Sequence, residues 1–249
     1  LIKTASKTLI AGCKNSVIPA DYSVTSIENS AFFGHSGLTE ITIPDSVTSI
    51  GDGAFGSCSN LTSITIPDKV TSIGSSAFAN CYALAEVYNL SELNITAGSE
   101  DHGYVGYYAK VVHTSAAVST RIKKDTENGI AYYVEGSTKI ALVLLDKTKT
   151  SITIADDCTE INQYAFRECT SLQSVIIGQN VTSIENYAFN ACISLKTITL
   201  EAINPPELNA YSYTIPSEVT TIYVPAESVE TYKAADGWKN FADKIQAIA

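Results

Sequence analysis

Leu38-Thr-Glu-Ile-Thr-Ile-Pro-Asp-Ser-Val-Thr-Ser-Ile50-Gly-Asp-Gly-Ala-Phe55-Gly-Ser-Cys58 returns 23 residues later as Leu61 to Cys81, with nearly every apolar position kept. The pattern recurs as Ser151 to Cys169 and as Leu172 to Cys192, and in part as Val24-Thr-Ser-Ile27 with Ala31-Phe32. Its opening strand appears once more at Leu195 to Leu200. A period between about 20 and 50 residues marks a stacked-repeat architecture. One such unit cannot bury its apolar face alone, so neighbours must share a core and strand hydrogen bonds.

Within a unit, Leu38, Ile41 and Ile43 alternate with polar residues closely enough for a half-buried strand, and Pro44 ends it by withdrawing an amide donor. Pro67 does the same one unit later. After Val47 and Ile50 the sequence predicts a short helix opened by Asn29, Asp52, Ser75 or Asn186 in successive units, with Gln163 as the exception. These are residue types favoured at helix N-caps. Ala54, Phe55 and Cys58 would then share one helical face.

The repeat resembles the BspA-like class of leucine-rich repeats, with its L-x-x-I-x-I-P-x-x-V-T-x-I-G-x-x-A-F-x-x-C signature. Regular units cover Leu38 to Ala83 and Lys149 to Ser194, and related sequence at both ends extends the likeness to most of the chain. Pro becomes Ala155 and Gly178 in later units, and His35 stands where Cys is expected. The fold class expected is strand-rich α/β: a leucine-rich-repeat solenoid with 23-residue repeats of strand plus short helix, an internal β-hairpin island and a C-terminal cap. The divisions are 1–83 for N-terminal repeats, 84–148 for the island, 149–200 for C-terminal repeats and 201–249 for the terminal repeat and helical cap, all read as one continuous solenoid domain.

In the island, Tyr104 to Val112 reads as a strand, followed by a low-apolar loop through Asn128. Gly129 to Val134 and Lys139 to Leu145 flank Glu-Gly-Ser-Thr and read as a β-hairpin. The island either replaces two or three repeats or projects from one edge. At the C-terminus, Asn204-Pro-Pro206 stops the last repeat, Thr221 to Pro225 gives a final strand, and Ala226 to Ala235 reads as a helix bounded by Pro225 and Gly237. Val229, Tyr232, Trp238, Phe241 and Ile245 would cover the open end, as terminal repeats require.

Composition narrows the chemistry. The formal charge is −10 and only 17% of residues are charged, which argues against a nucleic-acid partner, since neutralising phosphates needs clustered Lys and Arg. The 27 Ser and 26 Thr outnumber the 42 charged side chains, so the surface is polar with little charge. No apolar run reaches roughly eighteen residues, the minimum for a transmembrane helix. Leu1 to Ile10 is interspersed with Lys3, Thr4, Ser6, Lys7 and Thr8 and lacks the apolar core of a signal peptide. With no initial Met, the chain reads as a mature or trimmed form.

Cys58, Cys81, Cys169 and Cys192 share one repeat position, and Cys158 takes the slot of Val47, Val70 and Val181. They read as a buried ladder of unpaired thiols rather than disulfides or metal ligands. Cys13 is expected to be buried too. His35, His102 and His113 are the only imidazoles, and none has a motif-fixed nucleophile beside it. No catalytic residue, metal site or cofactor is expected. Asn60, Asn89, Asn94 and Asn180 begin Asn-x-Ser/Thr triplets, which a chain this rich in Ser and Thr produces by chance.

The favoured reading is a non-enzymatic binding module. Outward strand positions Glu40, Thr42, Ser63, Thr65, Thr153, Ser174, Ile176, Thr197 and Thr199 would line a polar face suited to extended recognition. Tyr104, Tyr107, Tyr108, Tyr132 and Tyr133 concentrate interface-type aromatics in the island, and alternation sends about half of them inward. The resemblance implies a secreted or cell-surface protein of host-associated microbes that adheres to a host or neighbouring-cell protein or glycan. A spacer with no ligand of its own is the alternative. An ice-binding face and an enzyme rank lower.

Overall fold

The structure is a computed structural model that describes residues 1–3, 6–13, 17–21, 23–116, 120–208 and 214–248. It is the strand-rich leucine-rich-repeat solenoid that the period implies, in two compact units, Leu1–Ile122 and Lys123–Ala249.

In the first unit the short Val-Thr-Ser-Ile segments form one sheet. Thr8–Leu9, Ser26–Ile27, Ser49–Ile50 and Ser72–Ile73 run parallel, and Ile2–Lys3 joins Thr8–Leu9 antiparallel. Ser26 faces Ser49 and Ser49 faces Ser72, so the ladder carries the 23-residue spacing directly. A second parallel sheet holds Ser63–Ile66, Glu86–Asn89 and Val111–His113. Leu38 to Ile43 keeps the predicted alternation, with Leu38 and Ile43 buried and Glu40 and Thr42 exposed, yet it lies in neither sheet. The Thr62 N–H reaches Thr39 O at 3.3 Å, and the ladder goes no further there.

The third limb corrects the expected short helix. It is built of turns in which the residue before each Ala has positive φ: Ser30 at 58°, Gly53 at 59° and Ser76 at 54°. An α-helix would spend its N–H groups within its own turn. Here alternate N–H groups go to the next repeat, Phe32 N–H to Ala54 O at 2.7 Å and Phe55 N–H to Ala77 O at 2.8 Å, while those between them close turns within the limb. Asn29 and Asp52 do not cap helices; their Oδ1 atoms accept the N–H of Asp52 and Ser75 in the following repeat, at 2.8 and 2.7 Å. Inside this limb Phe32, Phe55 and Phe78 stack with centroids 5.1 Å apart at each step.

The island hides one more repeat. Residues 104–112 are not a strand: Asp101–Tyr104 is a tight turn with left-handed His102 and Gly103, and the strand begins only at Val111. Phe78 N–H donates to Gly103 O at 2.7 Å, the bond that Phe55 makes to Ala77. Gly103 is required there, because an added Cβ would lie 2.3 Å from Gly74 O and its φ is +67°. Glu86 pairs with Val111, so this unit is 25 residues long.

In the second unit the hairpin forms as expected, Ile130–Glu135 against Thr138–Leu144. It does not project. Thr138–Leu144 pairs parallel with Glu160–Ile161 and heads a ladder that continues through Ser183–Ile184 to Glu207–Leu208. The other sheet stacks Ser151–Ile154, Ser174–Ile177, Thr197–Leu200 and Thr221–Val224 in register. Thr221–Val224 is not the final strand, because Ile245–Ala247 pairs alongside it after a helix over Val229–Ala234. Tyr232 and Trp238 are fully buried in this cap, giving hydrogen bonds to Ala202 O at 2.8 Å and Pro206 O at 2.7 Å.

Cys58, Cys81, Cys158, Cys169 and Cys192 are buried free thiols. Cys58 and Cys81 donate to Phe32 O and Phe55 O, each at 3.1 Å, so the thiols close the same inter-repeat ladder. Burial pushes the Cys58 thiol from 9.0 to about 12 and Cys158 to about 11. Cys13 corrects the expectation, since it is exposed. Gly12 takes the phenylalanine position, its N–H on Ala31 O, so Cys13 falls one place later, where the exposed Phe33 stands, rather than three.

Candidate binding faces

The outward side of the second unit's parallel sheet is a hydroxyl surface. Thr153 is exposed, and Ser174, Ile176, Thr197 and Thr199 are half-buried between their cross-strand neighbours. Ser174 donates to Ser151 across the strands at 2.9 Å.

The corresponding side of the first unit is a groove of about 590 Å³. Glu40, Thr42, Ser63 and Thr65 line it, with Val17 at one end and Tyr88 at the other. Beyond Tyr88 the outward positions stop being exposed. Glu86 is 0% exposed although it stands in register with half-buried Ser63. Its carboxylate accepts the Thr120 hydroxyl at 2.6 Å and the Arg121 backbone N–H at 3.1 and 3.2 Å. His113 Nε2 lies 3.3 Å from the same carboxylate and 3.3 Å from an Arg121 guanidinium nitrogen. Tyr88 stacks on the His113 ring at 4.7 Å, and burial followed by the Glu86 charge pushes its phenol up.

This cluster joins a carboxylate, an imidazole and a hydroxyl, the combination that sequence reasoning lacked. The Thr120 hydroxyl donates its hydrogen bond to Glu86 rather than to the imidazole, so the three groups are not in the hydroxyl–imidazole–carboxylate order of a nucleophile triad. His35 Nε2 lies 2.7 Å from Gly12 O, taking up the Cys-type bond between repeats. His102 sits half-buried in its turn. Among the described residues no group of three or more His, Cys, Asp or Glu is placed to hold a metal ion. Among the described residues no helix is long and apolar enough to cross a membrane.

The sequence pattern of the BspA type leucine rich repeat region matches six copies in this chain, over residues 4–99 and 145–235. The chain belongs to that family. No curated protein matches it in sequence. Similar solved structures include a leucine-rich cell surface protein of Faecalibacterium prausnitzii, 17% identical, covering 92% of this chain and 78% of the other with a TM-score of 0.37. The pneumococcal vaccine antigen PcpA is 14% identical over 91% and 76%, with a TM-score of 0.31. A T. pallidum leucine-rich repeat protein is 20% identical over 98% and 88%, with a TM-score of 0.29.

Against the BspA-type repeat, the hidden unit is where tyrosines gather. Tyr104, Tyr107 and Tyr108 follow its turn and meet edge to face, at 5.5 Å for Tyr104–Tyr107 and 4.8 Å for Tyr107–Tyr108. Tyr82, absent from the sequence-based candidates, completes the group at 5.4 Å from Tyr108. Its signal was present, since it directly follows the ladder residue Cys81. Tyr107 is 40% exposed. Tyr132 and Tyr133 are corrections, being 1% and 3% exposed. Tyr132 packs into the second unit's core and accepts the Ala155 N–H at 3.2 Å, and Tyr133 donates to Glu135 at 2.7 Å. The two residues pair regularly with Ala141 and Ile140 and so point to opposite faces, and both are buried because the strand is covered on both sides from Ile130 to Tyr133. Of the Asn-x-Ser/Thr sites, Asn60 and Asn89 are buried, while Asn94 and Asn180 are exposed.

Proposed function

We propose that this chain is a non-enzymatic binding module of a secreted or cell-surface protein, which engages a protein or glycan of a host or neighbouring cell. The observation that carries the reading is the edge-to-face group of Tyr82, Tyr104, Tyr107 and Tyr108, whose member Tyr107 is exposed. Tyrosines with an apolar ring and a polar rim are anchors of recognition surfaces. Glu40, Thr42 and Thr65 in the first unit's groove, and Thr199 on the outward side of the second unit's sheet, supply further polar contacts in this reading.

The test is capture from host matrix extracts together with a glycan array, first with the purified chain and then with Tyr104→Ser, Tyr107→Ser and Tyr108→Ser combined. Loss of a captured partner with an unchanged circular dichroism spectrum supports the reading. Retention of every partner overturns the role of the tyrosines. The outward side of the second unit's sheet, largely Ser and Thr with a single half-buried Tyr223, favours a second reading, a spacer with no ligand of its own, and capture of nothing would leave that one standing.

A further inference from the structure

Glu40 and Glu86 occupy one repeat position, two repeats apart, with Ser63 between them. Glu86 has a polypeptide seated on it. Its carboxylate takes a backbone N–H and a side-chain hydroxyl from the consecutive residues Thr120 and Arg121, and the Arg121 side chain reaches on to His113. The groove that ends at Tyr88, the ring stacked on His113, runs back along the same sheet side to Glu40.

We infer that the groove between Glu40 and Tyr88 binds an extended peptide carrying a hydroxyl residue followed by arginine, received at Glu40 as Glu86 receives Thr120 and Arg121. This deepens the binding-module reading and rests on it. Three observations lead there. The chain's own segment demonstrates the chemistry on the neighbouring part of the same face. Glu40 is exposed and, among the described residues lining the groove, is the one ionisable carboxylate or amine, which suits a cationic side chain as its ligand. Glu40 has contacts of its own within the chain, and a carboxylate with about four lone-pair sites has capacity for more. The remaining lining is rich in hydroxyls, Thr39, Thr42, Ser63 and Thr65, which offer hydrogen bonds to a peptide backbone.

The probe is a capped pentapeptide with the sequence of residues 119–123, Ser-Thr-Arg-Ile-Lys, titrated into the whole isotope-labelled chain. The expected result is saturable shifts of the amides of Glu40, Thr42, Ser63 and Thr65, weakened about tenfold by Glu40→Gln, the loss of one charge-assisted contact. The same peptide with Val in place of Thr should also bind more weakly. Absence of saturation, equal affinity for the Glu40→Gln chain, shifts at Tyr104 to Tyr108 instead, or competition-free filling of the groove by a glycan would each overturn the inference. Failure of the peptide while the tyrosine variants still lose a captured partner removes this inference and keeps the binding module. Peptide binding with tyrosine variants that lose nothing keeps this inference and removes only the role of the tyrosines.

Discussion

The strand sheet from Ser151 to Ala247 and the one from Ser63 to His113 share their inward residues and differ in what they turn outward. In the first, Ile152, Val175, Ile198 and Ile222 face the core in register while Ser, Thr and Ile side chains, with Tyr223 on the fourth strand, sit on the other side. In the second, Ile64 and Val87 do the same inward work, but the outward row runs Ser63, Glu86, and Thr65, Tyr88, His113. That row recruits residues 120 and 121 onto the sheet and leaves a groove where the recruitment ends. Inward positions are constrained by stacking, because each side chain must meet its copies above and below. Outward positions are released from that constraint, so differences between repeats concentrate there.

The comparison breaks first if the two cores are not equivalent. Phe55 stacks at 5.1 Å on its neighbours and Phe166 at 5.0 Å on Phe189, so Phe55→Ala and Phe166→Ala should each cost about 3–5 kcal/mol in urea denaturation. Costs that differ by more than about 2 kcal/mol would mean that the repeats are not equally packed.

It sharpens at the two glutamates. Glu86→Ala leaves the Thr120 hydroxyl and the Arg121 N–H without their acceptor in a buried place, at a cost of about 2–4 kcal/mol. Glu40→Ala, at the same repeat position but exposed, should stay within about 0.5 kcal/mol. Equal effects from the two would deny that residues 120 and 121 are locked by the carboxylate.

The thiols give an effect that is absent at neutral pH and grows only above pH 9. Cys58 keeps its proton in the folded state up to about pH 12, whereas in the unfolded chain it ionises near 9.0. Its contribution is therefore complete below pH 9 and declines between pH 9 and 12, by at most about 1.4 kcal/mol per pH unit. Cys58→Ala should flatten that part of a stability-against-pH curve, and a curve with the same slope would refute the assignment. At neutral pH a thiol reagent should label Cys13 rapidly and the five buried cysteines only after denaturation. Fast labelling of two or more thiols would show the ladder to be open.

The period made the core legible, since Val47, Ile50, Ala54, Phe55 and Cys58 are all buried as the repeat required. What it misjudged was the third limb. A helix and a chain of left-handed turns can bury the same Ala-Phe-x-x-Cys residues, and only the destination of the N–H groups separates them. The hidden repeat escaped because Gly103 and Tyr104 replace Ala and Phe and two residues are inserted, which erases the spacing. Of the candidate tyrosines, Tyr104, Tyr107 and Tyr108 come together and Tyr132 and Tyr133 do not, because their strand is covered on both faces and alternation leaves neither ring outside.

The sequence by itself determined the repeat, its parallel register and its inward residues, because stacking identical units forces like residues into contact and that constraint is linear along the chain. Only the tertiary structure decided that Glu86 is buried beneath residues 34 and 35 positions further on while its twin Glu40 is exposed. The two occupy equivalent places in the repeat, and nothing local to either distinguishes them; the difference comes from a distant segment folding back, which no period records.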